Sequence, residues 1–350
     1  MSNTDSKTLS LIICSRNDDY MGDPMWRLAT SINYVSEQIF NLEREAEVEI
    51  VVCDWGSMVP ISNVIQLTQK SASITSFIEV PLELASELQK DSPFGEVYAL
   101  NVAARRSKGL YIGRIDQDTL VTVGFLENFF HAFEKRKDFG FDLETSYMFA
   151  ARKQLPYAFV SKEPSLVSLD KCIENFRSWI FNEELKFCHW ASPVGILMMH
   201  RDIWDDIGGY DERLIYYWFM DVDLATRLMK KYPIVNIGEK FGYHFYHLEH
   251  MPKGNLFRHS HRKLNPDWSK SFDKPVLNPN GKDWGLRGHD LTVSKHSLIP
   301  IEVDSNNAAT NTNNVALFLH ILKGSLRRWT WYQIKHFWYI TKLIRKKPYL

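Results

Sequence analysis

Tyr111-Ile-Gly-Arg-Ile-Asp-Gln-Asp-Thr119 is an apolar run that ends abruptly in two carboxylates one residue apart. Strand side chains alternate between faces, so Asp116 and Asp118 point the same way if the strand persists through them. Two hard oxygen ligands at the mouth of a strand suit Mg²⁺ or Mn²⁺ carrying a diphosphate. Upstream, Leu9 to Cys14 and Val48 to Cys53 are short, almost continuous apolar runs, as expected of strands buried on both faces. Ile74 to Val80 reads as a third strand and Leu110 to Ile115 as a fourth. Helical spacing occupies Met25 to Phe40, and Val97 to Ser107 places Val97, Leu100 and Ala104 on one face. Strands alternating with helices predict an α/β fold, a mainly parallel central sheet flanked by helices. Ligands gather at the carboxyl ends of such strands, and the polar clusters Ser15 to Asp18, Asp54 to Ser57 and Asp116 to Asp118 fall there.

With 350 residues the chain can bury a substantial core. Its 42 Lys and Arg balance 42 Asp and Glu, so nothing global steers it to nucleic acid. Cys14, Cys53, Cys172 and Cys188 form no Cys-x-x-Cys pair, and buried free thiols in a reducing compartment are the expectation. The polar start, Ser2 to Lys7, leaves no room for a signal peptide or anchor ahead of the first strand, and no run reaches membrane-spanning length. A cytoplasmic protein, peripheral at most to the inner face of a membrane, is expected.

The second half reads less regularly. Phe149 to Phe159 predicts strand and loop, Val194 to His200 a strand, and Asp202 to Ile207 a short helix closed by Gly208-Gly209. Asp221 to Lys231 reads as a helix with Val222, Ala225 and Met229 facing inward. Loops should dominate residues 232–290. The expected layout is one domain over 1–295 in two halves (8–125 and 126–295), a polar linker over 296–314 and a helical tail over 315–350. The tail holds eight Lys or Arg, no acidic residue and six aromatics from Trp329 to Tyr339, which suits either an interfacial helix on anionic lipid or a helix packed on its own domain or an oligomer partner.

In order along the chain stand Leu9-Ser-Leu-Ile-Ile-Cys-Ser-Arg-Asn17, Glu49-Ile-Val-Val-Cys-Asp-Trp-Gly-Ser57, Ala99-Leu-Asn-Val-Ala-Ala104 and Lys108 to Asp118. Gly208-Gly-Tyr-Asp-Glu212 and Met220-Asp-Val-Asp-Leu-Ala-Thr-Arg-Leu228 follow. Over about residues 8 to 250 this ordered set resembles the GT-A glycosyltransferases, in particular the family-2-like inverting enzymes. The resemblance implies a Rossmann-like fold and transfer of a sugar from a UDP-sugar to a saccharide or glycoconjugate acceptor with inversion, in polysaccharide or glycan biosynthesis. It gives the donor Arg16, Asp54, Asn101, Arg105, Asp116 and Gln117. It gives Mn²⁺ or Mg²⁺ Asp116 and Asp118, joined by one histidine after the last core strand: His247 first and His244 second, from Tyr243-His-Phe-Tyr-His-Leu-Glu-His250.

Asp221 matches the catalytic base, which removes the acceptor hydroxyl's proton on the face opposite the leaving group. At a helix start the dipole favours its anion. Met220 departs from the family pattern, which has Glu there. Trp190, Trp218 and Trp284 are candidates for stacking on sugar rings, with Trp218 and Trp190, together with Asp223, assigned to the acceptor. Asp223 is also the better candidate for capping the helix. Gly195 sits where such folds bring the backbone to the donor sugar, unless it merely makes a turn. The competing readings are a retaining GT-A transferase of the polypeptide N-acetylgalactosaminyltransferase kind, and an inactive carbohydrate-binding module on the same fold.

Overall fold

The structure, a computed structural model, describes residues 6–20, 22–135, 138–182, 195–217, 219–250, 263–265, 276–302, 315 and 317–330. The strands are β1 (Lys7–Ser15), β2 (Val48–Trp55), β3 (Thr75–Val80), β4 (Gly109–Arg114), β5 (Thr119–Val121), β6 (Tyr147–Ala150), β7 (Lys153–Leu155), β8 (Phe181–Asn182), β9 (Ile196–His200), β10 (Ile234–Asn236), β11 (Phe245–Leu248) and β12 (Thr292–Ser294). Eight of them form one sheet in the order β10-β6-β9-β4-β1-β2-β3-β12. Only β9 and β12 run against the rest. The other four, in the order β5-β11-β7-β8, make a smaller sheet.

The unbroken apolar runs are explained by burial on both faces. Leu9, Leu11 and Ile13 of β1 face one core cluster, and Ile12 faces the other. In β2, Val48, Ile50 and Val52 join the first cluster while Val51, Cys53 and Trp55 join the second. Helices Pro24–Asn41 and Val123–Glu134 cover the first face; Glu96–Arg106, Arg201–Ile207 and Met220–Met229 cover the second. The expected mainly parallel α/β sheet is thus present, and Val97, Leu100 and Ala104 are buried as the spacing predicts.

Two sequence expectations change. Helix Met220–Met229 buries Leu224, Ala225 and Leu228, whereas Met229 is exposed and Val222 half-buried. The stripe is rotated because Asp223 and Arg227, one turn apart, go inward as an ion pair at 2.8 Å and satisfy each other there. Residues 232–250 are not mainly loop: they hold β10, helix Ile237–Phe241 and β11. Helical residues 317–330 insert Leu317 and Ile321 into a third cluster with Leu155, Leu169, Tyr246 and Leu248, on the smaller sheet. Residues 296, 297 and 301 hydrogen-bond to Ile65, Ser62 and Leu67, so this stretch runs along the main body.

Candidate active site

Strand β4 stops at Arg114, and a turn follows in which Thr119 N–H donates to the Asp116 carbonyl at 3.1 Å. The strand therefore does not persist through the two carboxylates, and they take different partners. Asp116 faces Arg114 and Arg152, at 2.8 Å from each. Asp118 is buried and faces two imidazoles, His247 Nε2 at 3.2 Å and His250 Nε2 at 3.3 Å.

The smaller sheet brings those histidines in. Strand β11 pairs His247 with Thr119 of β5 on one side and with Gln154 of β7 on the other, and Leu248 N–H donates to the Asp118 carbonyl at 2.9 Å. Gln154 Oε1 lies 2.6 Å from His247 Nδ1. A proton on Nδ1, donated to Gln154, leaves Nε2 as the nitrogen that faces Asp118, and an ion bound there would take its lone pair in place of a proton. The His250 imidazole is pushed down to about 3, by burial first and by neighbouring His247 next, so it is neutral at physiological pH. Burial alone would raise the Asp118 carboxyl, but His247, by charge and hydrogen bond, and the Arg152 guanidinium hold it well below the carboxylate range.

Asp118, His247 and His250 thus offer one oxygen and two nitrogens, all within 4.8 Å of one another. Donors at right angles about 2.1–2.2 Å from an ion stand about 3.0–3.1 Å apart. The 3.2 and 3.3 Å separations fit that edge, and the mixed oxygen–nitrogen set suits Mn²⁺ better than Mg²⁺. His244 is placed elsewhere. Its Nδ1 lies 2.9 Å from Thr122 Oγ1 and its Nε2 2.8 Å from the Phe241 carbonyl, and its ring packs where a Gly124 Cβ would otherwise sit. With both nitrogens engaged, it ties helix Val123–Glu134 to the Ile237–Phe241 turn.

Asp221 stands in the first turn of helix Met220–Met229, and its Oδ1 accepts from Arg114 Nη1 and from the Tyr210 hydroxyl, each at 3.3 Å. Burial raises its carboxyl above the ordinary range; Arg114 and Tyr210 oppose the rise. Arg114 also reaches Glu96 at 3.1 Å and is itself 7% exposed, so one buried guanidinium gathers three carboxylates. Arg152 contacts Asp118 at 3.7 Å as well as Asp116. A continuous line of charge, Asp221–Arg114–Asp116–Arg152–Asp118, spans the carboxyl end of the sheet.

The remaining expected residues divide. Gln117 accepts from Ser15 Oγ at 2.5 Å, joining the ends of β1 and β4. Asp54, at the end of β2, accepts from Ile61 N–H at 2.7 Å and from the Ser57 hydroxyl, bracing its own loop, and burial raises its carboxyl. Arg16 pairs with Asp18 at 2.8 Å and lies over the Phe94 ring. Asn101 is a clip: its amide donates to the Tyr210 carbonyl and to Glu212, its oxygen accepts from Tyr210 N–H, all at 2.8–2.9 Å. Arg105 lies at the other end of helix Glu96–Arg106, over Trp284 at 3.9 Å, away from the carboxyl end of β4. Trp284 is buried against Trp204 and belongs to the core.

Asp223 is buried with Arg227, whose guanidinium also donates to the Ile207 and Gly209 carbonyls, so it faces the interior. Gly195 is required by a close approach of protein backbone: a Cβ there would come 2.6 Å from the Ala151 carbonyl. Trp190, Trp218 and Cys188 lie outside the described residues; the other three cysteines are free.

Arg114, Arg152, Tyr210 and His250 are the site residues that sequence reasoning passed over. A signal existed for each arginine. Arg114 interrupts a buried strand and Arg152 follows the apolar run Tyr147 to Ala151, positions where a charge persists only if paired. His250 stands in the same run as His244 and His247, but its direction depends on how the chain leaves β11.

No protein-family model and no curated protein matches the chain. Among solved structures it is similar to residues 1–349 of S. aureus TarS, at 15% identity and TM-score 0.42, over 69% of this chain and 60% of that one. The same TarS segment in complex with UDP gives 16% identity and TM-score 0.43, over 68% and 60%. The catalytic domain of Drosophila β1,4-galactosyltransferase 7 in complex with xylobiose gives 12% and 0.41, over 79% and 83%. The chain spans about 60% of the TarS segment's length. These are remote likenesses, and the functional reading rests on the residues above.

Proposed function

We propose that this protein is a metal-dependent glycosyltransferase of the inverting GT-A kind, moving a sugar from a UDP-sugar to a saccharide or glycoconjugate hydroxyl. The observation that supports the reading is the charged line from Asp221 to Asp118 along the carboxyl end of a mainly parallel sheet, which links a candidate base to a candidate cation site. The UDP donor is what the resemblance to the GT-A glycosyltransferases implies.

Asp118, His247 and His250 would hold the ion, which when bound supplies positive charge beside the departing diphosphate. Asp116, turned to the two arginines, orients Arg114 and Arg152 rather than completing the donor set. Arg152, fixed by both carboxylates, adds a second positive charge on the leaving-group side. The acceptor oxygen bonds to the anomeric carbon while the bond from that carbon to the diphosphate oxygen breaks and its electron pair leaves with the diphosphate. The acceptor proton passes to Asp221, whose raised affinity for protons suits a base that must take one. Arg114 and Tyr210 hold that carboxylate at the helix start.

UDP release from a panel of UDP-sugars, with and without Mn²⁺, tests the proposal. Metal-dependent release in the wild type and its loss in Asp221→Asn with an unchanged melting temperature are expected. Wild-type rates in Asp221→Asn would remove that residue from the mechanism. A product that keeps the donor's anomeric configuration by NMR would replace inversion with retention.

A further inference from the structure

Helical residues 317–330 have two apolar faces. One is docked: Leu317 and Ile321 are buried in the third core cluster, Phe318 packs edge-on to Trp179, and Ser325 donates to the Trp179 carbonyl at 2.7 Å. An adjoining side presents Val315, Leu319, Leu326 and Trp329, which are 65%, 55%, 56% and 51% exposed. At about 100° per residue, positions 315, 319, 322, 326 and 329 form one stripe along the helix. Exposed Lys323 and Arg327 flank that stripe. A helix held to its own domain on one side has no internal reason to keep four large apolar groups in water on the other.

We propose that this outward face is a docking surface for an anionic phospholipid bilayer. Charge selects lipid over a second copy of the chain. On the described helix the stripe is flanked by exposed Lys323 and Arg327 and by no acidic side chain, so two copies meeting through this face would oppose cation to cation. An acidic headgroup layer supplies the countercharge, and an apolar stripe with a basic flank is the pattern of a helix lying in the interface. Among the described residues no helix is long and apolar enough to cross a membrane.

The docked side ties this surface to the active site. Arg328 pairs with Glu249 at 2.7 Å, Glu249 also accepts from Tyr157 N–H at 3.0 Å, and its chain neighbour is His250. Binding through the helix would therefore fix the orientation of the metal-cluster strand relative to the lipid surface. This inference does not depend on the proposed transfer reaction.

The full chain should be sedimented with phosphatidylcholine vesicles and with phosphatidylcholine vesicles containing phosphatidylglycerol. Sedimentation only with the anionic vesicles, lost when salt rises from about 0.1 M to about 1 M, is expected. The combined variant Leu319→Ser, Leu326→Ser, Trp329→Ser should bind about tenfold more weakly at an unchanged melting temperature, because none of the three packs in the core. Equal binding to both vesicle types, no binding to either, or wild-type binding by the triple variant would each overturn the proposal. So would a lipid-independent dimer that the triple variant abolishes, which would assign the face to a second copy.

Discussion

Arg114→Gln isolates the electrostatic hub of the site. The guanidinium is 7% exposed and bonded to Glu96, Asp116 and Asp221 at 3.1, 2.8 and 3.3 Å. Removing one partner of a buried ion pair costs about 3–5 kcal/mol. Two of the three carboxylates here have relief: Glu96 is 41% exposed and can regain water, and Asp116 keeps Arg152 at 2.8 Å. Asp221, 22% exposed and left among the described residues with the Tyr210 hydroxyl as its hydrogen-bond donor, has less. The lower end of the range, about 3 kcal/mol, is therefore expected. Unfolding entropy of about 2.1 cal/mol/K per residue gives about 0.7 kcal/mol/K for this chain, so the melting temperature should fall by about 4 °C. Losing the nearby cation also raises the Asp221 carboxyl further, because Arg114 is the main influence holding it down against burial. A base must be ionised, so the acid limb of the rate profile should move to higher pH. Arg114→Lys, which keeps the charge, should restore most of that limb. Thermal melts and rates across pH measure both effects. A melting temperature within about 1 °C of wild type, with an unmoved acid limb, would refute the hub.

Saturation with Mn²⁺ in the presence of UDP, at about 100 times its dissociation constant, should stabilise the protein by about 2.7 kcal/mol, or about 4 °C. His247→Ala should abolish that rise and His244→Ala should leave it intact; equal shifts in all three proteins would dissolve the cluster. His250 is neutral in the native state down to about 3 but titrates near 6.5 once unfolded. The unfolded chain takes up the extra proton in that window, so stability is full above about 6.5 and falls by about 1.4 kcal/mol per pH unit below it. Urea midpoints at pH 7 and 5 should show a loss of about 2 kcal/mol that His250→Asn removes. Gly209 has φ +68°, and a Cβ there would stand 2.3 Å from Asn101 Oδ1. Gly209→Ala should cost about 2–4 kcal/mol, read by the same denaturation, and a cost under 1 would mean that the Asn101 clip yields freely.

The amino-acid sequence by itself determined the class of fold and the end of the sheet at which to look. The runs at Leu9, Val48 and Leu110 have no polar alternation, so they can be strands only where both faces are covered, and the residues that end them must meet solvent at one edge. Asp118, His247 and Asp221 were legible as candidates because their chemistry is confined to a few residue types at strand ends and helix starts. Side-chain direction was not legible. Whether β4 continues through Asp116 depends on a turn closed by Thr119, and whether His244 or His250 faces Asp118 depends on the register of β11 between β5 and β7. Asn101 and Asp223 look equally available in the sequence, yet one clips the Tyr210 turn and the other neutralises Arg227 in the core. Those outcomes belong to tertiary structure, because a buried polar group takes whichever partner the packing of distant segments supplies.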